Sequence, residues 1–133
     1  MYRKILLPVD LDYPESAAKA MEVATEMARA EGASLTVISV QPIILDESGT
    51  PPPDYQPKMD AYLAKHSQNS GVGITGLLKL GGSISAEIRY AAEEIGADLI
   101  VMGSHDPHFT DYLIGSNAAH VALHTHCSVL VVR

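Results

Sequence analysis

The chain has 133 residues and a formal net charge of −7 at pH 7, from 16 acidic and 9 basic side chains. An acidic chain whose Lys and Arg are scattered cannot neutralise a phosphate backbone, which excludes nucleic acid as an expected partner. Hydrophobic residues make up 47% of the chain, too many for a disordered segment, and the length suits a single domain, expected over residues 1–133, that needs no staple.

Cys127 is alone, so no intrachain disulfide forms, as suits a reducing compartment. No apolar run approaches the ~18 residues of a membrane span. The start, Met1 to Pro8, has only Ile5-Leu6-Leu7 as an apolar stretch, too short for a secretory signal. The expectation is a soluble, cytoplasmic protein without a membrane partner.

In chain order, Lys4 to Val9 reads as a buried strand with Pro8 near its end. Asp12, Pro14 and Glu15 predict a helix start with Asp12 as cap. Ala17, Ala20, Met21, Ala24, Met27 and Ala28 recur at helical spacing, and Gly32 ends the helix. Ser34 to Val40 is a second strand. Gln41 to Pro57 is proline-rich and reads as surface loop, followed by a short helix over Lys58 to His66. Gly73 to Leu80 is a third strand. Ser83 caps a helix with the stripe Ile84, Ile88, Ala91, Ala92 and Ile95, closed by Gly96. Asp98 to Met102 is a strand, Ser116 to about His124 a helix, and Ser128 to Val132 a final strand. Continuous apolar strands alternating with amphipathic helices predict an open five-stranded parallel sheet covered on both faces, an α/β, Rossmann-like fold. Ligands of such sheets bind at the carboxyl ends of the strands, near a switch in strand order. Those ends are Val9-Asp10, Val40-Gln41, Leu80-Gly81-Gly82 and Met102-Gly103-Ser104.

The stretch from Gly103 to Asn117 leaves a buried strand and re-enters a helix at Ser116. Gly103 and Gly115 permit close backbone approach, and the free N–H groups of a helix start favour an anion. Ser116 adds a hydroxyl donor. Together these could hold a triphosphate without a lysine; on spacing alone the two glycines could equally bound a surface loop.

Met102-Gly103-Ser104, Leu113 to Ala119 and His126 to Arg133, with Ile5 to Asp10 and Gly96 to Gly103, resemble the universal stress proteins (the UspA domain), and the Ser104-His105 loop and Gly115-Ser116-Asn117 ending resemble their UspF/UspG-like branch. The resemblance covers almost the whole chain and is weakest over residues 41–70. It implies ATP as ligand, with Mg²⁺ possible at the phosphates. It implies a binding set of Pro8, Val9, Asp10, Val40, Met102, Gly103, Ser104, His105, Gly115, Ser116 and Asn117. Within that set Asp10 lies beside the adenosine and the Val40 backbone pairs with the adenine edge. Met102 and Gly103 lie against the ribose and first phosphate, and Gly115, Ser116 and Asn117 hold the outer phosphates. The chain departs from the ATP-binding pattern between its outer glycines, where Asp106 stands in place of the second glycine.

The resemblance implies a regulatory, stress-response module that binds an adenine nucleotide and forms a homodimer or larger homo-oligomer through the final strand. The alternatives are a slow ATPase or nucleotidyl-transfer enzyme, and a dimeric scaffold that binds no nucleotide. Residues 103–117 contain no Lys or Arg, which leaves little to stabilise a phosphoryl-transfer transition state and disfavours turnover. No catalytic residue is expected. His120 and His124 share a helical face, yet no base stands between them and no third ligand is evident, so no metal site is expected. Cys127 reads as a packing residue.

Overall fold

The computed structural model describes residues 1–41, 43, 47–49, 53–104 and 116–133. Among these residues are five strands: β1 (Lys4–Pro8), β2 (Ser34–Gln41), β3 (Ile74–Leu80), β4 (Leu99–Gly103) and β5 (Ser128–Val132). Four helices alternate with them: α1 (Ala18–Glu31), α2 (Gln56–Ser70), α3 (Ile84–Ile95) and α4 (Ser116–His124). The strands form one sheet in the order β3-β2-β1-β4-β5, and every pairing is parallel. This is the open, five-stranded α/β sheet that the alternating pattern predicts.

Strand alternation splits the core in two. Ile5, Leu7, Leu35, Val37, Leu99 and Val101 point to one face, where they meet Ala20, Met21, Ala24 and Ala28 of α1 and Met59 and Tyr62 of α2. Leu6, Ile38, Ile100 and Met102 point to the other, against Ile88, Ala91 and Ala92 of α3 and Ala118 and Val121 of α4. The unbroken apolar runs Ile5 to Leu7 in β1 and Leu99 to Met102 in β4 therefore follow from burial on both faces.

Three helices end as their glycines require. Gly32, Gly71 and Gly96 follow α1, α2 and α3 with φ of 66°, 68° and 69°, the left-handed region where a Cβ is disfavoured. The Ser83 side chain accepts from the Ala86 amide, the expected cap of α3. Asp98 joins the two central strands at their start: its carboxylate accepts from the Arg3 amide at 2.9 Å and the Lys4 amide at 3.0 Å. Burial pushes that carboxyl up, but the backbone amides outweigh it and hold it below the usual carboxylate range.

Three local expectations need correction. Asp12 does not cap a helix. The chain first makes a 3-10 turn, Pro14–Ala17, with no side-chain cap, and α1 begins at Ala18. The Asp12 carboxylate is instead engaged by Tyr55 and Lys58. The helix read over Lys58 to His66 is longer at both ends. Pro57 lies in its first turn, where the missing N–H costs nothing. Its polar last turn is fastened from outside, because the Arg29 guanidinium donates to the Ser70 carbonyl from Nε at 3.0 Å and Nη2 at 2.7 Å. Ile84 is 40% exposed: it is the first residue of α3, and the buried stripe begins at Ile88.

Candidate functional site

From β1 the chain moves outward on one side through β2 to β3, then returns to lay β4 and β5 on the other side of β1. The reversal of strand order therefore lies between β1 and β4. Their ladder has only two registered pairs, Ile5↔Leu99 and Leu6↔Ile100. Both strands run on beyond it, to Pro8 and Gly103. The carboxyl ends thus part above Leu6 and Ile100, leaving the crevice in which open α/β sheets take their ligands.

Pro8, Val9 and Asp10 form the β1 lip. Val9 is buried and its amide donates to the Ile38 carbonyl at 2.8 Å, holding the strand end against β2. Asp10 is exposed and folds the chain into a turn. Its Oδ1 accepts from the Asp12 amide at 2.9 Å, and its carbonyl accepts from the Tyr13 amide at 3.1 Å.

Val40 lies where β2 outruns β1, since the β1–β2 register ends at Pro8↔Ile38. The Ile38 carbonyl faces β1, whereas the Gln41 carbonyl accepts from the Gly81 amide on the β3 side at 2.7 Å. Backbone groups alternate along a strand, so the Val40 amide and carbonyl face β1's side, past the point where β1 has left the sheet. A planar heterocycle with a donor and an acceptor on one edge could pair there.

Met102, Gly103 and Ser104 form the β4 lip. The Met102 side chain is 5% exposed and belongs to the core under α3 and α4, so only its backbone is available to a ligand. Gly103 lets the 3-10 turn pass close by: a Cβ there would lie 3.3 Å from the Ser16 carbonyl oxygen. The Ser104 amide and hydroxyl both donate to the Val132 carbonyl, at 2.9 and 3.3 Å, and so tie this lip to the end of β5. Ser116 and Asn117 are exposed in the first turn of α4, with Ala118 and Val121 anchoring the helix beneath them. A helix N-terminus carries partial positive charge and free N–H groups suited to an anion. His105, Asp106 and Gly115 lie outside the described residues.

Beside the β1 lip stands a group that sequence reading missed. The Lys58 ammonium donates to Asp12 Oδ1 at 2.6 Å, and the Tyr55 hydroxyl donates to Asp12 Oδ2 at 3.0 Å. Lys58 also lies 5.3 Å from the centroid of the Tyr55 ring. The bond from Lys58, chiefly, holds the Asp12 carboxyl below its ordinary range, and the same bond raises Lys58. The pair is therefore intact at neutral pH and is lost as pH falls through the lowered Asp12 value or rises through the raised Lys58 value. No local pattern joins positions 12, 55 and 58; the fold alone brings them together.

The remaining candidates behave as packing or surface residues. The half-buried Cys127 packs beside the α3–α4 core, its sulfur 3.4 Å from Thr125 Oγ1. His120 and His124 stack with centroids 6.1 Å apart, and among the described residues no group of three or more His, Cys, Asp and Glu could hold a metal ion. No helix among the described residues is long and apolar enough to cross a membrane.

The sequence model of the universal stress protein family matches residues 1–133. The chain belongs to that family. Universal stress protein G of Shigella flexneri is 48% identical over 52 residues, which are 39% of this chain and 37% of that protein. It is a member of the branch that the sequence resembles, although the match spans well under half the length of either chain. A solved universal stress protein from Archaeoglobus fulgidus in complex with dAMP has a TM-score of 0.74 at 20% identity, covering 99% of this chain and 98% of that one. A universal stress protein in complex with cAMP has a TM-score of 0.74 at 21% identity, covering 99% and 97%. At such identities the likeness is one of fold, and it bears out the Rossmann-like universal stress protein architecture.

Proposed function

We propose that this universal stress protein binds an adenine nucleotide, ATP, in the crevice between β1 and β4 and serves as a regulatory module. The observation that carries the reading is the parting of β1 and β4 at the switch point, with the Val40 backbone edge on one flank and Gly103 on the other. The complexes of fold relatives with dAMP and cAMP support an adenine mononucleotide as the recognised unit. In this reading Asp10, Val40 and the Met102–Gly103 backbone contact the adenosine and first phosphate. Gly115, Ser116 and Asn117 hold the outer phosphates, with Mg²⁺ offsetting charge beside Asp106. Pro8, Val9 and Ser104 complete the lips, and His105 is assigned to the site on family resemblance alone. The residues fit such a ligand: Gly103 offers backbone without a side chain, and the first turn of α4 is open. Residues 1–133 act as one domain in the cytoplasm. Calorimetric titration of ATP with Mg²⁺ is expected to give saturable heat, with slow or no release of phosphate. Absence of both heat and thermal shift at millimolar nucleotide would overturn the nucleotide reading and favour the scaffold alternative. Turnover near ~10 per second, a working enzyme's rate, would promote the ATPase reading.

The protein is further proposed to form a homodimer through β5, an apolar strand that among the described residues is paired on one side only. The Val132 carbonyl faces β4, where it receives Ser104. By alternation the Val131 backbone faces outward. Val131→Pro therefore removes an outward donor without touching the β4–β5 ladder. Light scattering should give twice the chain mass for the parent and the single chain mass for the variant. A monomeric parent would refute strand pairing.

A further inference from the structure

We propose that Tyr55 and Lys58 are positioning residues of the nucleotide crevice, gripping Asp12 so that the turn after β1 presents Asp10 at the switch point. The inference rests on the crevice being the nucleotide site. It follows from a continuous run of bonds. Lys58 and Tyr55 donate to the two oxygens of Asp12, and the Asp12 amide in turn donates to Asp10 Oδ1. The run links the first turn of α2 to the β1 lip across 43 to 46 positions of chain.

Two features separate this contact from an incidental surface ion pair. Both oxygens of Asp12 are used, and the cation also rests near the ring of the second donor, so the three side chains form a network rather than one mobile pair. The network also sits where charge matters. Asp10 and Asp12 stand two residues apart on a chain of net charge −7 that is proposed to receive an anion. Lys58 neutralises one of these carboxylates and fixes the backbone that orients the other. The ion pair lies at the surface, with Lys58 54% and Asp12 39% exposed, while the Tyr55 ring packs against the core, so the polar network adds little to global stability. Its effect is expected in binding.

The test is calorimetric titration of Mg²⁺-ATP into the parent, Lys58→Met, Lys58→Arg and Tyr55→Phe, at low salt and at about 1 M salt. Lys58→Met should bind about threefold more weakly at low salt, the size of an exposed network contact. The difference should close at high salt, where screening removes the pair. Tyr55→Phe should weaken binding in the same direction, and Lys58→Arg should bind as the parent does. Lys58→Met binding as the parent does at low salt would overturn the inference. So would a deficit that persists at high salt or that arginine fails to repair. A parent that binds no nucleotide removes the site itself and this role with it, whereas a binding parent with indifferent variants removes only the role.

Discussion

Ile100→Ala is expected to lower the free energy of unfolding by about 2–5 kcal/mol, the range for emptying a large aliphatic position in a rigid core. Ile100 is fully buried in β4, level with Leu6 on one side and Val129 on the other. Its side chain belongs to the core under α3 and α4. Its neighbours Leu6, Ile38 and Ile88 are themselves at most 1% exposed and anchored in three different elements, so the cavity cannot collapse by moving one of them. Urea denaturation followed by circular dichroism reads the loss as a lower midpoint at unchanged slope. A loss under about 1 kcal/mol would mean that the sheet relaxes far more than its packing implies. Because Ile100 also marks where β1 and β4 begin to part, the same variant should weaken nucleotide binding if the crevice is the site.

Gly76→Val acts in the opposite sense, by crowding. Gly76 lies in β3 beneath α2, and a Cβ there would stand 2.8 Å from Leu63 Cδ1 and 2.9 Å from both Cγ and Sδ of Met59. Atoms of separate side chains do not approach so closely, and valine adds two methyl groups beyond that Cβ. Met59 is 1% exposed, so it has no free volume to enter, and α2 must lift from the sheet. The expected loss is about 1–3 kcal/mol, the usual consequence of overpacking. A second substitution makes the cause testable. Met59→Ala empties the space that valine needs, so the double variant should be more stable than the sum of the two single losses. Strict additivity would show that valine acts through the strand backbone instead.

The fold was readable from this sequence wherever a signal is local. Gly32 and Gly96 close helices because their backbone is left-handed, Ser83 caps because its oxygen reaches the Ala86 amide, and Leu99 to Met102 carry no polar side chain because both sheet faces are covered. Long-range pairing was not readable in the same way. Nothing near Ile5 or Leu99 states that they are neighbours, so the parting of β1 and β4 emerges only from the assembled sheet. The last turn of α2 was missed because its polar residues give no apolar period, and the bonds that end it come from Arg29 on another helix. Asp12 was misassigned for a related reason. The spacing Asp12-Pro14-Glu15 imitates a cap, while the partners that claim its carboxylate are Tyr55 and Lys58. At the candidate site, the strand ends and the Ser116 helix start were legible from the residues, whereas the binding roles proposed for Val40 and Asn117 rest on family resemblance. The hydroxyl bond of Ser104 to the Val132 carbonyl and the burial of the Met102 side chain belong to tertiary structure alone.

The central place of β1 sets a constraint on how the chain is made. Of the five strands β1 is made before the rest and β2 follows about 30 positions on, but the other edge of β1 finds Leu99 and Ile100 only 94 positions later. At roughly 5–20 residues per second of synthesis, that interval lasts about 5–20 s. During it β1 presents an unpaired strand edge at Ile5 and Leu6, and Leu6 still lacks the cover of α4, features that invite intermolecular association. β5, made after β4, then builds on it. A ribosome-bound chain arrested before Leu99 should therefore be more readily captured by a holdase chaperone than one arrested beyond Val132.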